Sequence, residues 1–153
     1  MLISGEAYDN DKVTWIYDHT NEQWTQGPIL NRGRYRFGCA KFKSPAHENR
    51  EVLIVAGGYA DSDGYPFDSV EILDYTMTDE WETGPKLPEK MVEISLVTNQ
   101  NGNGVLVVYQ EKIHELKCSE QGCEWVKLEQ ELSVGRDDYV AMLIPDELVN
   151  CQK

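Results

Sequence analysis

Apolar residues along this chain fall in short runs, broken by clusters of Gly, Pro, Asn and Asp. Val, Ile, Leu, Tyr and Trp dominate the runs, and turn-forming residues bound them, which is the pattern of short β-strands. No segment sustains a helical period. Pro145-Asp146-Glu147-Leu148 has room for one helical turn at most. Over residues 34–86 the pattern predicts four strands. They are strand a at Phe37–Lys43, b at Glu51–Ala56, c at Ser69–Tyr75 and d at Glu80–Thr83.

The pattern repeats. Trp24, Trp81 and Trp125 each follow a short polar turn, and Gly27-Pro28 and Gly84-Pro85 follow the first two. A basic residue comes next at a near-constant offset: Arg34, Lys90 and Arg136. Five residues further on stands a small side chain: Cys39, Ser95 and Ala141. Leu2-Ile3-Ser4-Gly5, Leu53-Ile54-Val55-Ala56-Gly57-Gly58 and Leu106-Val107-Val108-Tyr109-Gln110 also correspond, and Gly5, Gly57 and Tyr109 are spaced by 52 residues in both steps. Three separate marks at one period imply a repeat architecture, in which a unit cannot bury its apolar face alone and must stack on its neighbours.

The run ending in Gly57-Gly58, then Val70-Glu71-Ile72-Leu73-Asp74, Trp81 and Pro85-Lys86-Leu87-Pro88, resembles the kelch repeat. That resemblance implies an all-β fold of β-propeller blades, each a four-stranded antiparallel sheet. The first unit resembles the repeat from strand b onward, with Val13-Thr14-Trp15-Ile16-Tyr17-Asp18 as its strand c. The third has Tyr109-Gln110 where the double glycine belongs, so the turn there is in question. The expected organisation is about three blades over residues 1–146. It comprises a partial blade (b-c-d) at 1–30, full blades at 34–86 and 90–130, a closing strand a at 136–146 and a tail at 147–153. Propellers usually have four or more blades. The expectation is therefore a part of a larger ring, with about three further repeats ahead of Met1 as its missing blades.

A net charge of −13 among 153 residues repels phosphate backbones, so no nucleic-acid partner is expected. No stretch has the length of apolar residues that membrane insertion needs, and residues 1–5 do not read as a signal peptide. Cys118 and Cys123 read as a disulfide across a hairpin, with two free thiols as the alternative. The four cysteines and three histidines show no zinc spacing. No cofactor or metal is expected. Asp61-Ser62-Asp63-Gly64 matches half a calcium loop and lacks the rest.

Antiparallel order a-b-c-d puts the d–a and b–c loops on one face. Those loops hold the expected partner-binding residues Arg32, Arg34, Tyr35, Tyr59, Asp61, Asp63, Tyr65 and Arg136. Arg and Tyr are favoured in interface hot spots, and loops on rigid scaffolds commonly bind. A plainer reading is that Arg34, Lys90 and Arg136 only bond neighbouring strands. No nucleophile elbow, P-loop or zinc-protease motif is present. The leading expectation is a non-enzymatic protein-interaction module. One alternative is part of a propeller enzyme, a copper radical oxidase or a glycan-processing one, with its active site partly in missing blades; another is a structural scaffold. The resemblance to secreted kelch-like proteins, through the Cys118–Cys123 hairpin and the tail ending at Cys151, implies an extracellular location and a possible Cys39–Cys151 pairing. The cytoplasmic alternative is the substrate-reading half of a ubiquitin-ligase adaptor, which would need an upstream BTB and BACK region.

Overall fold

A computed structural model describes residues 2–3, 12–59, 64–136, 141, 142 and 144. Among the described residues, ten strands form three antiparallel sheets. β1 (Leu2–Ile3), β2 (Trp15–Asp18) and β3 (Gln23–Gln26) make the first, in that order. β4 (Gly38–Ser44), β5 (Arg50–Ala56), β6 (Val70–Leu73) and β7 (Glu82–Thr83) make the second. β8 (Leu96–Thr98), β9 (Gly104–Ser119) and β10 (Gly122–Arg136) make the third, in the order β10-β9-β8. A 3-10 turn, Pro45–His47, joins β4 to β5.

The second sheet is the structural centre. Its apolar run in β5 does not alternate with polar residues because both of its faces are interior. Val52, Ile54 and Ala56 point to one side, where they meet Val70, Ile72, Leu96, Val105, Val107 and Leu116. Val55 points to the other, where it meets Leu30, Leu73 and Trp81. A continuous apolar run is what a strand covered on both faces requires.

The four-strand expectation holds in this unit, with ends shifted by one to two residues, as is usual for strand boundaries. The third unit differs. Where four strands were expected, three form among the described residues, because β9 runs straight through from Gly104 to Ser119. The cause lies in the Gly57-Gly58 position. Those glycines have φ of +69° and +92°, and a Cβ on either would stand 2.5 Å from the Met91 carbonyl oxygen or 2.6 Å from that of Tyr35. Both the left-handed backbone and the close approach demand glycine. With Tyr109-Gln110 in that place, one residue, Gln110, takes positive φ and the strand continues without reversing. Most of the expected closing strand at 136–146 lies outside the described residues.

Cys118 and Cys123 face each other across the β9–β10 hairpin and are joined by a disulfide. Nearby, His114 is buried opposite Lys127, and its Nδ1 has no hydrogen-bond partner. Burial holds the imidazole below its ordinary range. Glu89 opposes this, while Lys112 and Lys127 reinforce it. The unfolded chain therefore binds a proton here more readily than the folded one. Stability from this group is complete above about pH 6.5 and declines as the pH falls below it. Urea melts between pH 7.5 and 5 are expected to show that decline, and His114→Phe is expected to flatten it.

Candidate functional site

The d–a and b–c loops of the central sheet are stitched together by backbone bonds. Tyr35 and Tyr59 exchange N–H···O bonds of 2.9 Å in both directions. The Phe67 N–H donates to Gly58 O, and the Met91 N–H donates to Phe67 O, each at 2.9 Å. Their side chains make two ring contacts on this loop face. The rings of Tyr35 and Tyr59 stack with centroids 5.7 Å apart. The Arg32 guanidinium lies over the Phe67 ring, 3.5 Å from its centroid, in cation–π geometry. Tyr65 stands clear of the surface, 71% exposed.

Arg34 does not belong to that loop face, and its expected partner-binding role is corrected. Its side chain is fully buried. Nη1 donates to Gly57 O at 2.8 Å and Ser69 O at 3.0 Å, and Nη2 donates to Ser69 Oγ at 3.2 Å and Glu71 Oε1 at 2.7 Å. Burial lowers the guanidinium pKa, and the Glu71 carboxylate counters that. Glu71 also accepts the backbone N–H groups of Asn31 and Arg32. The pair therefore ties the d–a loop to strands b and c from inside, the plainer of the two sequence readings. Lys90 is exposed, so the recurrent basic residue does not mark one structural position. Arg136 ends β10, with its backbone paired to Gln110. Asp61 and Asp63 lie outside the described residues, as does Cys151.

Two other groupings were not legible in the spacing. Ser44 Oγ is 2.8 Å from His47 Nδ1, and His47 Nε2 is 2.5 Å from Glu82 Oε1. The residue types are those of a hydrolase relay, but Ser44 is fully buried and cannot meet a substrate carbonyl. The relay fastens the a–b turn to strand d. Between the first and second sheets runs a groove of about 900 Å³ lined by Ile16, Pro28, Phe37, Cys39, Leu53 and Tyr75, among others. Cys39 presents a free, exposed thiol to this groove. No group of three His, Cys, Asp or Glu among the described residues is placed to hold a metal ion. No helix among them is long and apolar enough to cross a membrane.

Successive antiparallel sheets stacked face to face, each with a Trp on or beside its outer strand, define a protein of the β-propeller-blade class. The Kelch motif matches residues 46–88, spanning β5, Gly57-Gly58, β6, Trp81 and β7, and this match supports a kelch-repeat family. Among curated proteins, none matches the chain. Kelch motifs commonly mediate interactions between proteins.

Proposed function

We propose that this chain is a non-enzymatic protein-binding module whose partner docks on the d–a and b–c loops of the central blade. The observation that carries the reading is the juxtaposition of Tyr65, Arg32 on Phe67, and the Tyr35–Tyr59 pair. Two loops distant in sequence meet here: Tyr35 and Tyr59 pair through their backbones, and Arg32 of one loop rests on Phe67 of the other. Preorganised Tyr and Arg side chains are the residue types that dominate hot spots, and fixing them beforehand lowers the entropy lost on binding.

The test is a pull-down from the native tissue with the full chain as bait, followed by titration of the recovered partner. Tyr65→Ala and Arg32→Ala are each expected to weaken binding by tenfold or more, with on the order of 2 kcal/mol lost at a hot-spot residue. Met77→Ala, in the exposed turn between β6 and β7, is expected to leave affinity unchanged. Thermal melts of each variant separate lost contacts from lost folding. Undiminished binding by both loop variants would move the site off this face.

A further inference from the structure

The sequence Asn99-Gln100-Asn101-Gly102-Asn103-Gly104 links β8 to β9 and holds two Asn-Gly pairs. An asparagine followed by glycine is open to one reaction that needs no enzyme. With no side chain on the glycine, its backbone nitrogen can reach the asparagine amide carbon unhindered. The two pairs are held differently. Asn99 N–H donates to Gly104 O at 2.9 Å and closes the loop. Asn103 is gripped at two points: its N–H donates to Asn99 Oδ1 at 3.1 Å, and its Oδ1 accepts from Asn99 Nδ2 at 3.2 Å. Gly104 is buried, and a Cβ there would stand 2.8 Å from Asn99 Nδ2.

Asn101 stands exposed at the tip, and its side-chain amide takes no hydrogen bond among the described residues. Gly102 follows it with φ of +73°, and a Cβ on Gly102 would meet nothing within 4 Å. Space for a new ring is therefore present at Asn101 and filled at Asn103. One bond opposes ring closure, from the Gly102 N–H to Asn99 O at 3.0 Å. It lies in a surface turn, where such bonds open readily. The same residue also ties two sheets together. Gly102 O accepts the Lys43 N–H at 2.7 Å, and beside it Thr98 Oγ1 donates to Lys41 O at 2.5 Å, which joins the third sheet to β4.

We propose that Asn101 is a site of spontaneous deamidation, and that isoaspartate formed there unfastens the third sheet from β4. The Gly102 nitrogen gives its proton to hydroxide and attacks Asn101 Cγ. The N–Cγ bond forms, the Cγ–Nδ2 bond breaks, and the amide nitrogen takes a proton from water and leaves as ammonia. Water then opens the succinimide ring. Cleavage of the new N–Cγ bond gives aspartate. Cleavage of the original peptide bond gives isoaspartate, whose main chain runs through Cβ and Cγ and is one carbon longer. That carbon falls directly before Gly102 and carries its carbonyl away from Lys43.

The full chain is incubated in mildly alkaline buffer, digested and mapped by mass spectrometry, with isoaspartate counted by an isoaspartate methyltransferase. Asn101 is expected to convert about tenfold faster than Asn103 in the folded chain, and at a similar rate in urea, where the Asn99 grip is gone. Asn101→Gln, whose amide would have to close a larger ring, is expected to stay unconverted. Hydrogen exchange reads the consequence: the Lys43 N–H is expected to exchange about tenfold faster in the isoaspartate form than in the parent. Freshly prepared Asn101→Asp adds the charge without the extra carbon and is expected to keep the parent rate. Three outcomes overturn the proposal. Asn103 converts as fast as Asn101 in the folded chain. Asn101 converts in urea and stays intact when folded, which shows that Asn99 O holds the Gly102 N–H too firmly. Isoaspartate forms while the Lys43 N–H keeps the parent rate, or Asn101→Asp speeds it equally, which assigns the effect to charge.

Discussion

Trp81→Ala is expected to destabilise the chain by about 3–5 kcal/mol, the range for truncating a buried tryptophan. Trp81 is 4% exposed and packs with Leu30, Val55 and Leu73, so the truncation opens a cavity between two sheets, neither of which can close it alone. It also strands the Pro28 carbonyl, which accepts the indole N–H. Urea denaturation followed by circular dichroism measures the loss as a lower midpoint. Trp81→Phe keeps most of the apolar contact and gives up the hydrogen bond, worth about 1 kcal/mol. The difference between the two variants separates cavity from polar contact. A Trp81→Ala midpoint within error of the parent would mean that the first and second sheets do not pack in solution as described.

Arg34→Met is expected to cost a similar amount, about 3–5 kcal/mol, for a different reason. Removing the guanidinium leaves the Glu71 carboxylate buried, with only the Asn31 and Arg32 backbone N–H groups to solvate it. An unpaired buried charge costs more than the pair contributed. The double variant Arg34→Met, Glu71→Leu is therefore expected to lose less than the sum of the two single variants, and a double-mutant cycle by chemical denaturation measures that coupling. Arg34→Lys is expected to fail as a rescue. One ammonium cannot span Gly57 O, Ser69 O and Glu71 as the guanidinium fork does. Additive losses would show that the two side chains act independently.

Much of the architecture was legible because local chemistry and global packing agree in the central unit. The strand pattern, the double glycine and Trp81 all follow from needs that a single residue type meets: positive φ, close backbone approach, a broad apolar plate. The third unit defeated the same reasoning at one point. Its repeat marks are present, but Tyr109-Gln110 cannot make the reversal that Gly57-Gly58 makes, and one long strand replaces two. The departure from glycine was visible; its consequence, continuation rather than a looser turn, depends on partners only the fold supplies. The loop face was half legible. Tyr35, Tyr59, Tyr65 and Arg32 were named from residue type and loop position, whereas Phe67 as the plate under Arg32 was not. Arg34 was misplaced because its partner, Glu71, sits 37 residues away in an apolar strand. A lone carboxylate in Val70-Glu71-Ile72-Leu73 was the available signal that a buried cation must come to meet it. The Ser44–His47–Glu82 relay joins residues 35 apart and left no mark in the spacing.

The two-sided interior of β5 has a bearing on how the molecule tolerates change. An ordinary sheet strand keeps one side for water, and mutation can drift there without penalty. Here Val52, Ile54 and Ala56 answer to one neighbour while Val55 answers to the other. A substitution in this strand is felt by whichever flanking sheet it touches, and loss of the strand would leave the two flanks nothing to rest on.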